Sequence, residues 1–193
     1  MIVQNRLLVQ IQSEALSKYL LKTSLCSSNW LEKCIIVRWF DEDTLTNFIQ
    51  IENLDSALKY LSQLSFIEHR NYGFAVHDEI RESIYYEIFT KSPVHFRKLH
   101  KEASIYYRNR IESGTCLLTS HLIIEYFYHL IRSNENEGVF KLYKALITAD
   151  YLSQSDLCYA LFDTTKDLIL KRENTALLMK WENQSAKNHS VIY

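Results

Sequence analysis

Glycine and proline are nearly missing from this chain: three and one in 193 residues. Glycine supplies positive-φ turns and proline punctuates loops, so their scarcity argues against long loops and β-rich architectures. Cysteine is sparse as well. Cys26, Cys34, Cys116 and Cys158 stand far apart with no CxxC pair, which argues against a zinc site of the usual spacing and for reduced, buried thiols. Long hydrophobic runs are absent: no stretch approaches the roughly 18 to 20 apolar residues of a membrane span. The opening MIVQNRLLVQIQ is broken by Gln, Asn and Arg, unlike a signal peptide. An excess of one charge is also lacking. The formal net charge of −1 gives no overall pull toward nucleic acid or an anionic membrane. A soluble, cytoplasmic protein is expected.

What is present is apolar bulk. Hydrophobic residues make up 47% of the chain, with 13 tyrosines and nine phenylalanines. That is enough for a true core in one or two small domains, built on closely packed, bulky helix interfaces. Apolar residues recur at helical spacing over 13–23 (Leu16, Tyr19, Leu20), over 29–40 in NWLEKCIIVRWF, and after Asp41–Asp43 (Leu45, Phe48, Ile49). Asn53 is a candidate cap for a fourth helix, running to Leu64 on the stripe Leu54, Leu58, Leu61, Leu64.

The stretch FIEHRNYGFAVHDEIRESIYYEIF (66–89) then changes period. Residues 66–76 read as two short strands around Asn71, Tyr72 and Gly73. From Val76 onward the period is 3.6, with Ile80, Ile84, Tyr85, Ile88 and Phe89 on one face and Asp78 and Glu79 in the first turn. Helices, a two-stranded wing and a following helix are the parts of a winged helix. Pro93 opens another helix, with Leu99, Ala103, Tyr106 and Tyr107 on one face and Gly114 at its end. Helical patterns follow over 117–131, 139–149 and 155–170, separated by linkers at 133–138 and 150–153, with a shorter one at 176–181. Paired helices with short connections suggest an α-solenoid, without a strict 34-residue repeat. The expected fold is mainly α: a winged-helix domain with a small β-hairpin at 66–76, followed by a TPR-like α-helical array. The expected domains are 1–90 for the winged helix, 91–113 for a connecting helix and 114–193 for the helical array.

Enzyme motifs come up short. Gly73, Gly114 and Gly138 are far apart and no GK[ST] exists, so no loop brings backbone amides round a phosphate. There is neither GxSxG nor HExxH. His121, Glu125 and His129 share a helix face, but eight residues span about 12 Å of rise, too far for one ion; a partly buried polar edge of a packing helix is the expectation. No catalytic residue and no metal ligand is assigned.

For DNA reading, the candidate recognition helix 53–64 offers only Lys59 as a cation. Residues 51–90 carry three Lys/Arg (59, 70, 81) against seven acids (52, 55, 68, 78, 79, 82, 87), or −4. Such a surface repels a phosphate backbone. Cations gather later, and Arg97, Lys101 and Arg108 share one face of the helix 92–112. That face is either solvated or a patch for nucleic acid or an acidic partner. The alternative function resting on it is a winged-helix DNA-binding transcription regulator; a hydrolase is a distant third.

Val76-His77-Asp78 raises another possibility. A helix start presents free N–H groups and a positive dipole end, which suit phosphate, and His77 would add a donor. The segment LSFIEHRNYGFAVHDEIRESIYYEIF resembles the winged-helix region of STAND-class signalling ATPases, the NB-ARC-like group. There a leucine-rich helix leads to a wing and then to a Met-His-Asp motif; here valine stands in place of methionine. HFRKLHKEASIYYRNR is similar to the helix that leaves this domain, and FYHLIRSNENEGVFKLYKALITA (127–149) to the first helical pair of a sensor array. The resemblance spans roughly 13–170 and is sharpest over 64–107. It implies that His77 contacts the β-phosphate of ADP in a closed, inactive state and that Asp78 orders the turn. The family's phosphate-binding loop and acidic magnesium strand are not in this sequence. A non-catalytic regulatory module is therefore expected, either a piece of a longer protein or one that has lost its ATPase core, with no cofactor of its own. ADP or ATP would be bound only in a full-length relative. Expected partners are an ATPase core, in cis or in trans, and a protein bound by the helical array, with no membrane and nucleic acid disfavoured.

Overall fold

The computed structural model describes residues 30–70, 73–114, 119–151, 156–157, 159–161 and 163. The helical patterns expected over 13–23 and 176–181, and Cys26, Cys116 and Cys158, lie outside them. The chain is mainly helical. In order come α1 (Trp30–Ile36), a π-helical segment (Thr44–Ile49), α2 (Leu54–Leu61), β1 (Ile67–Arg70), β2 (Gly73–Val76), α3 (Asp78–Lys91), α4 (Pro93–Glu112), α5 (Thr119–Ser133) and α6 (Glu135–Tyr151). It divides into two compact units, Met1–Tyr106 and Tyr107–Tyr193. The division falls inside α4, the helix set apart from sequence as a connection over 91–113.

The first unit has the element order of a winged helix. β1 and β2 pair antiparallel, with Ile67 opposite Val76 and Arg70 opposite Gly73. Phe40 adds an isolated bridge beside β2: its N–H donates to Phe74 O at 2.7 Å, and Phe74 N–H returns the bond to Phe40 O at 2.8 Å. The expected helix over 29–40 therefore stops at Ile36, because Phe40 trades helical bonds for this bridge while burying its ring completely. Gly73 has φ +138, and a Cβ there would lie 2.5 Å from Phe40 O. It serves the turn and the close approach of Phe40 at once.

Asp41 opens the next segment as expected, accepting from Thr44 N–H at 2.9 Å and from the Thr44 hydroxyl at 2.7 Å. The segment is a π-helix rather than an α-helix, and it closes at Gln50, which takes the left-handed conformation with φ 68. Asn53 caps α2 by accepting from Ser56 N–H at 3.0 Å. α2 ends at Leu61, the one fully buried residue of the expected leucine stripe. In α3 the buried positions are Ile84 and Ile88, while Phe89 stays 43% exposed. α1 packs on α3, β2 and the π-helical segment, and Ile35, Ile36, Phe40, Leu45, Ile49 and Val76 form the core.

The part of α4 up to Tyr106 is bound into this unit. His95 Nε2 lies 2.8 Å from Glu32 Oε2 on α1. The Tyr106 hydroxyl donates to Asp43 Oδ2 at 2.6 Å, and its ring stacks on Phe48 at 5.4 Å. Buried His100 hydrogen-bonds the Tyr85 hydroxyl at 3.0 Å within an aromatic group that includes Phe96.

The second unit is built on the pair α5–α6. Phe127, Leu130, Ile131, Val139, Leu142 and Leu146 form its core together with Leu161. The expected linker over 133–138 is wrong in an instructive way. Only Asn134 interrupts the helices, and its Oδ1 accepts from Glu137 N–H at 3.4 Å. Gly138 is buried inside α6, where a Cβ would lie 2.6 Å from Ile131 Cα. This glycine lets two helix backbones approach closely; it is not a linker residue. No helix among the described residues is long and apolar enough to cross a membrane.

Candidate functional site

His77 occupies the N-cap position of α3, with φ −48 and ψ 132. Its N–H donates to Phe66 O at 2.8 Å and its carbonyl accepts from Arg81 N–H at 2.9 Å, so the backbone is held on both sides. The side chain makes no cap hydrogen bond and is exposed. The period change at Val76 produces this placement directly: β2 ends there, and His77 is the single residue between strand and helix.

Asp78 begins α3 with its side chain 68% exposed. The carboxylate meets two guanidinium groups, Arg70 Nη2 at 3.4 Å and Arg81 Nε at 4.0 Å. Arg70 also donates to Glu68 Oε1 at 2.8 Å, and this hydrogen bond is the main cause that raises its pKa above the ordinary arginine value. Arg70 and Arg81 were not singled out from sequence. The hairpin register is the signal that finds them: Arg70 opposite Gly73 stands at the end of β1, and Arg81 lies one turn into α3. The site thus joins a histidine, a helix N-terminus and two arginines. Glu68, Asp78 and Glu79 oppose them, so formal charge gives three acids against two arginines. Both arginines are engaged by carboxylates, and the site by itself offers a free phosphate little net attraction.

The three residues of the basic helix face are all exposed. Arg97 and Lys101 lie in the first unit; Arg108 lies in the second, 3.8 Å from Glu112. Around α2 and the wing, Glu52, Asp55, Asp78, Glu79 and Glu82 are exposed beside Lys59.

The His121, Glu125, His129 face is more buried than the expected polar edge. Glu125 is 3% exposed and His129 is fully buried, with Nε2 3.7 Å from Glu125 Oε2 and the ring stacked on Tyr107 at 5.4 Å. These side chains pack a helix interface. Among the described residues no group of His, Cys, Asp and Glu has the geometry to hold a metal ion. No family model, no curated protein and no solved structure matches the chain.

Proposed function

We propose that this chain is a non-catalytic regulatory module of a STAND-type signalling ATPase. In this reading the winged helix docks on an ATPase core, in cis or in trans, and the helical array couples a protein-bound sensor to it in the cytoplasm. The observation that carries the reading is His77: exposed, fixed through its backbone at the start of α3, and with a side chain not spent on capping. Such a residue suits a contact with a phosphate that another domain holds. Arg70, which already meets Glu68 and Asp78, would gain a third anionic partner in the same contact. The resemblance of Val76-His77-Asp78 to the family motif gives that contact its identity as the β-phosphate of ADP.

The test is ADP release from a protein that joins this chain to an ATPase core. A charge-assisted hydrogen bond is worth roughly 1.5 to 3 kcal/mol, so His77→Ala should speed release by about 10- to 150-fold. An unchanged release rate removes the reading. The exposed cations Arg97 and Lys101 favour the alternative, a DNA-binding regulator. Tight, sequence-selective duplex binding at physiological salt would establish it, against the exposed acids of α2 and the wing.

A further inference from the structure

Seven large apolar side chains are exposed among the described residues, and four of them, Tyr86, Phe89, Val94 and Ile105, lie on α3 and α4 within the first unit. Their charged neighbours differ in sign. On α3, Glu79, Glu82, Tyr86 and Phe89 follow one another at steps of three, four and three and so share a face. Tyr86 is 67% exposed there, while Ile84 and Ile88 bury the other side. On α4, Val94, Arg97, Lys101 and Ile105 follow at steps of three, four and four. Val94 is 72% exposed, and Phe96, Leu99 and Ala103 bury the opposite side. The side chains of Glu79, Glu82, Arg97 and Lys101 form no ion pair among the described residues.

We propose that the first unit pairs with a second copy of this chain, the acidic aromatic face of α3 in one copy packing on the basic aliphatic face of α4 in the other. Each face carries what the other lacks: two carboxylates with two aromatic rings, against two cations with two aliphatic side chains. Because one unit holds both faces, a two-fold pair makes the contact twice. A nucleic acid would engage the cations and leave all four apolar side chains in water. An anionic membrane would meet Glu79 and Glu82 beside the same apolar group. Only a partner with both signs and both apolar stripes answers the whole surface, and the chain itself is one. This inference is independent of the nucleotide contact proposed for His77.

Sedimentation velocity of the full chain over a wide concentration range tests it. The expected result is a dimer that weakens as salt is raised, since exposed charges are screened beyond about 8 Å at physiological ionic strength. The paired variants E79K/E82K and R97E/K101E should each weaken association by about tenfold or more, because each sets like charges face to face. An equimolar mixture of the two should recover it, as every contact in the mixed pair again joins opposite charges. Circular dichroism establishes that the variants are folded. Should either misfold, Val94→Ser at a strongly exposed site reads the same contact, with loss of association expected. A chain that stays monomeric throughout, association indifferent to both charge variants, or folded variants that fail to recover on mixing would each overturn the proposal. So would a monomeric chain that captures an acidic helical peptide on α4, which would make the surface a site for another protein.

Discussion

The two units hold their helices by different chemistry. In the first, polar joints between elements stand beside the apolar core: Glu32 with His95, Asp43 with Tyr106 and Tyr85 with His100. In the second, α5 and α6 meet along an apolar seam whose closest approach is set by a missing side chain at Gly138. Polar joints fix which groups meet and tolerate modest changes of volume. An apolar seam at native packing density tolerates changes of polarity at its rim but not added atoms at its centre. The first unit should therefore yield to loss of a hydrogen-bond partner, and the second to a single added methyl.

Gly138→Ala carries the largest expected effect. Alanine is the better helix former by about 1 kcal/mol. The new Cβ, however, would meet Ile131 Cα at 2.6 Å and Ile131 N at 2.7 Å, both backbone atoms that cannot rotate away. Overpacking of this kind costs about 1 to 3 kcal/mol, and the backbone contact puts this site at the upper end, so a net loss of about 2 kcal/mol is expected. Amide hydrogen exchange reads it locally. Exchange in α5 and α6 should accelerate while α1 and α3 keep their protection; equal acceleration in both units would mean that the damage is not confined to the α5–α6 seam.

Tyr106→Phe comes next. The substitution keeps the ring stacked on Phe48 and deletes the hydroxyl that donates to Asp43 and approaches Thr44 Oγ1 at 3.2 Å. Asp43 still accepts from Asn47 at 2.8 Å, which limits the damage. A loss of about 1 to 2 kcal/mol in the first unit is expected for a hydrogen bond to a charged, half-exposed acceptor. Trp30 and Trp39 are both buried in that unit, so urea unfolding followed by their fluorescence measures it. No change in the midpoint would mean the joint rests on ring packing alone.

Glu32→Gln is expected to cost less than about 1 kcal/mol. The Glu32–His95 pair is roughly one-third exposed on each side, and such pairs contribute little in water. The same fluorescence measurement at low and high salt checks it. A loss larger than that of Tyr106→Phe would reverse the ranking of the polar joints.

Much of the first unit was legible because its signals are local. The period change at Val76, the turn at Gly73 and the Asn53 and Pro93 helix starts each depend on neighbours a few residues away. What escaped depends on distant partners. Phe40 reads as the end of a helix because a one-residue bridge has no alternation of its own; its strand character comes from Phe74. Thr44–Ile49 carries ordinary helical spacing, and nothing local distinguishes the π form. Gly138 reads as punctuation beside Asn134 and Asn136, yet its role is set by Ile131 across the helix pair. The candidate site divides the same way. His77 and Asp78 were visible as a sequence pair, whereas Arg70 and Arg81 join them only once the hairpin register is known.

His77→Ala should have the smallest effect on stability. The structural joints of the first unit lie in half-buried or buried contacts. His77 makes only backbone hydrogen bonds there, to Phe66 and Arg81, and alanine preserves both. Its exposed side chain caps nothing, so removing it forfeits neither a capping bond nor buried surface. The expected change is within about 0.5 kcal/mol, that of an ordinary surface substitution. Thermal melting of the chain and ADP release from a protein that joins it to an ATPase core then separate two roles. An unchanged melt with faster release is the outcome for a residue placed to meet a ligand held elsewhere. A large drop in melting temperature with unchanged release would make His77 one more structural joint of the first unit, and the proposed phosphate contact would fall with it.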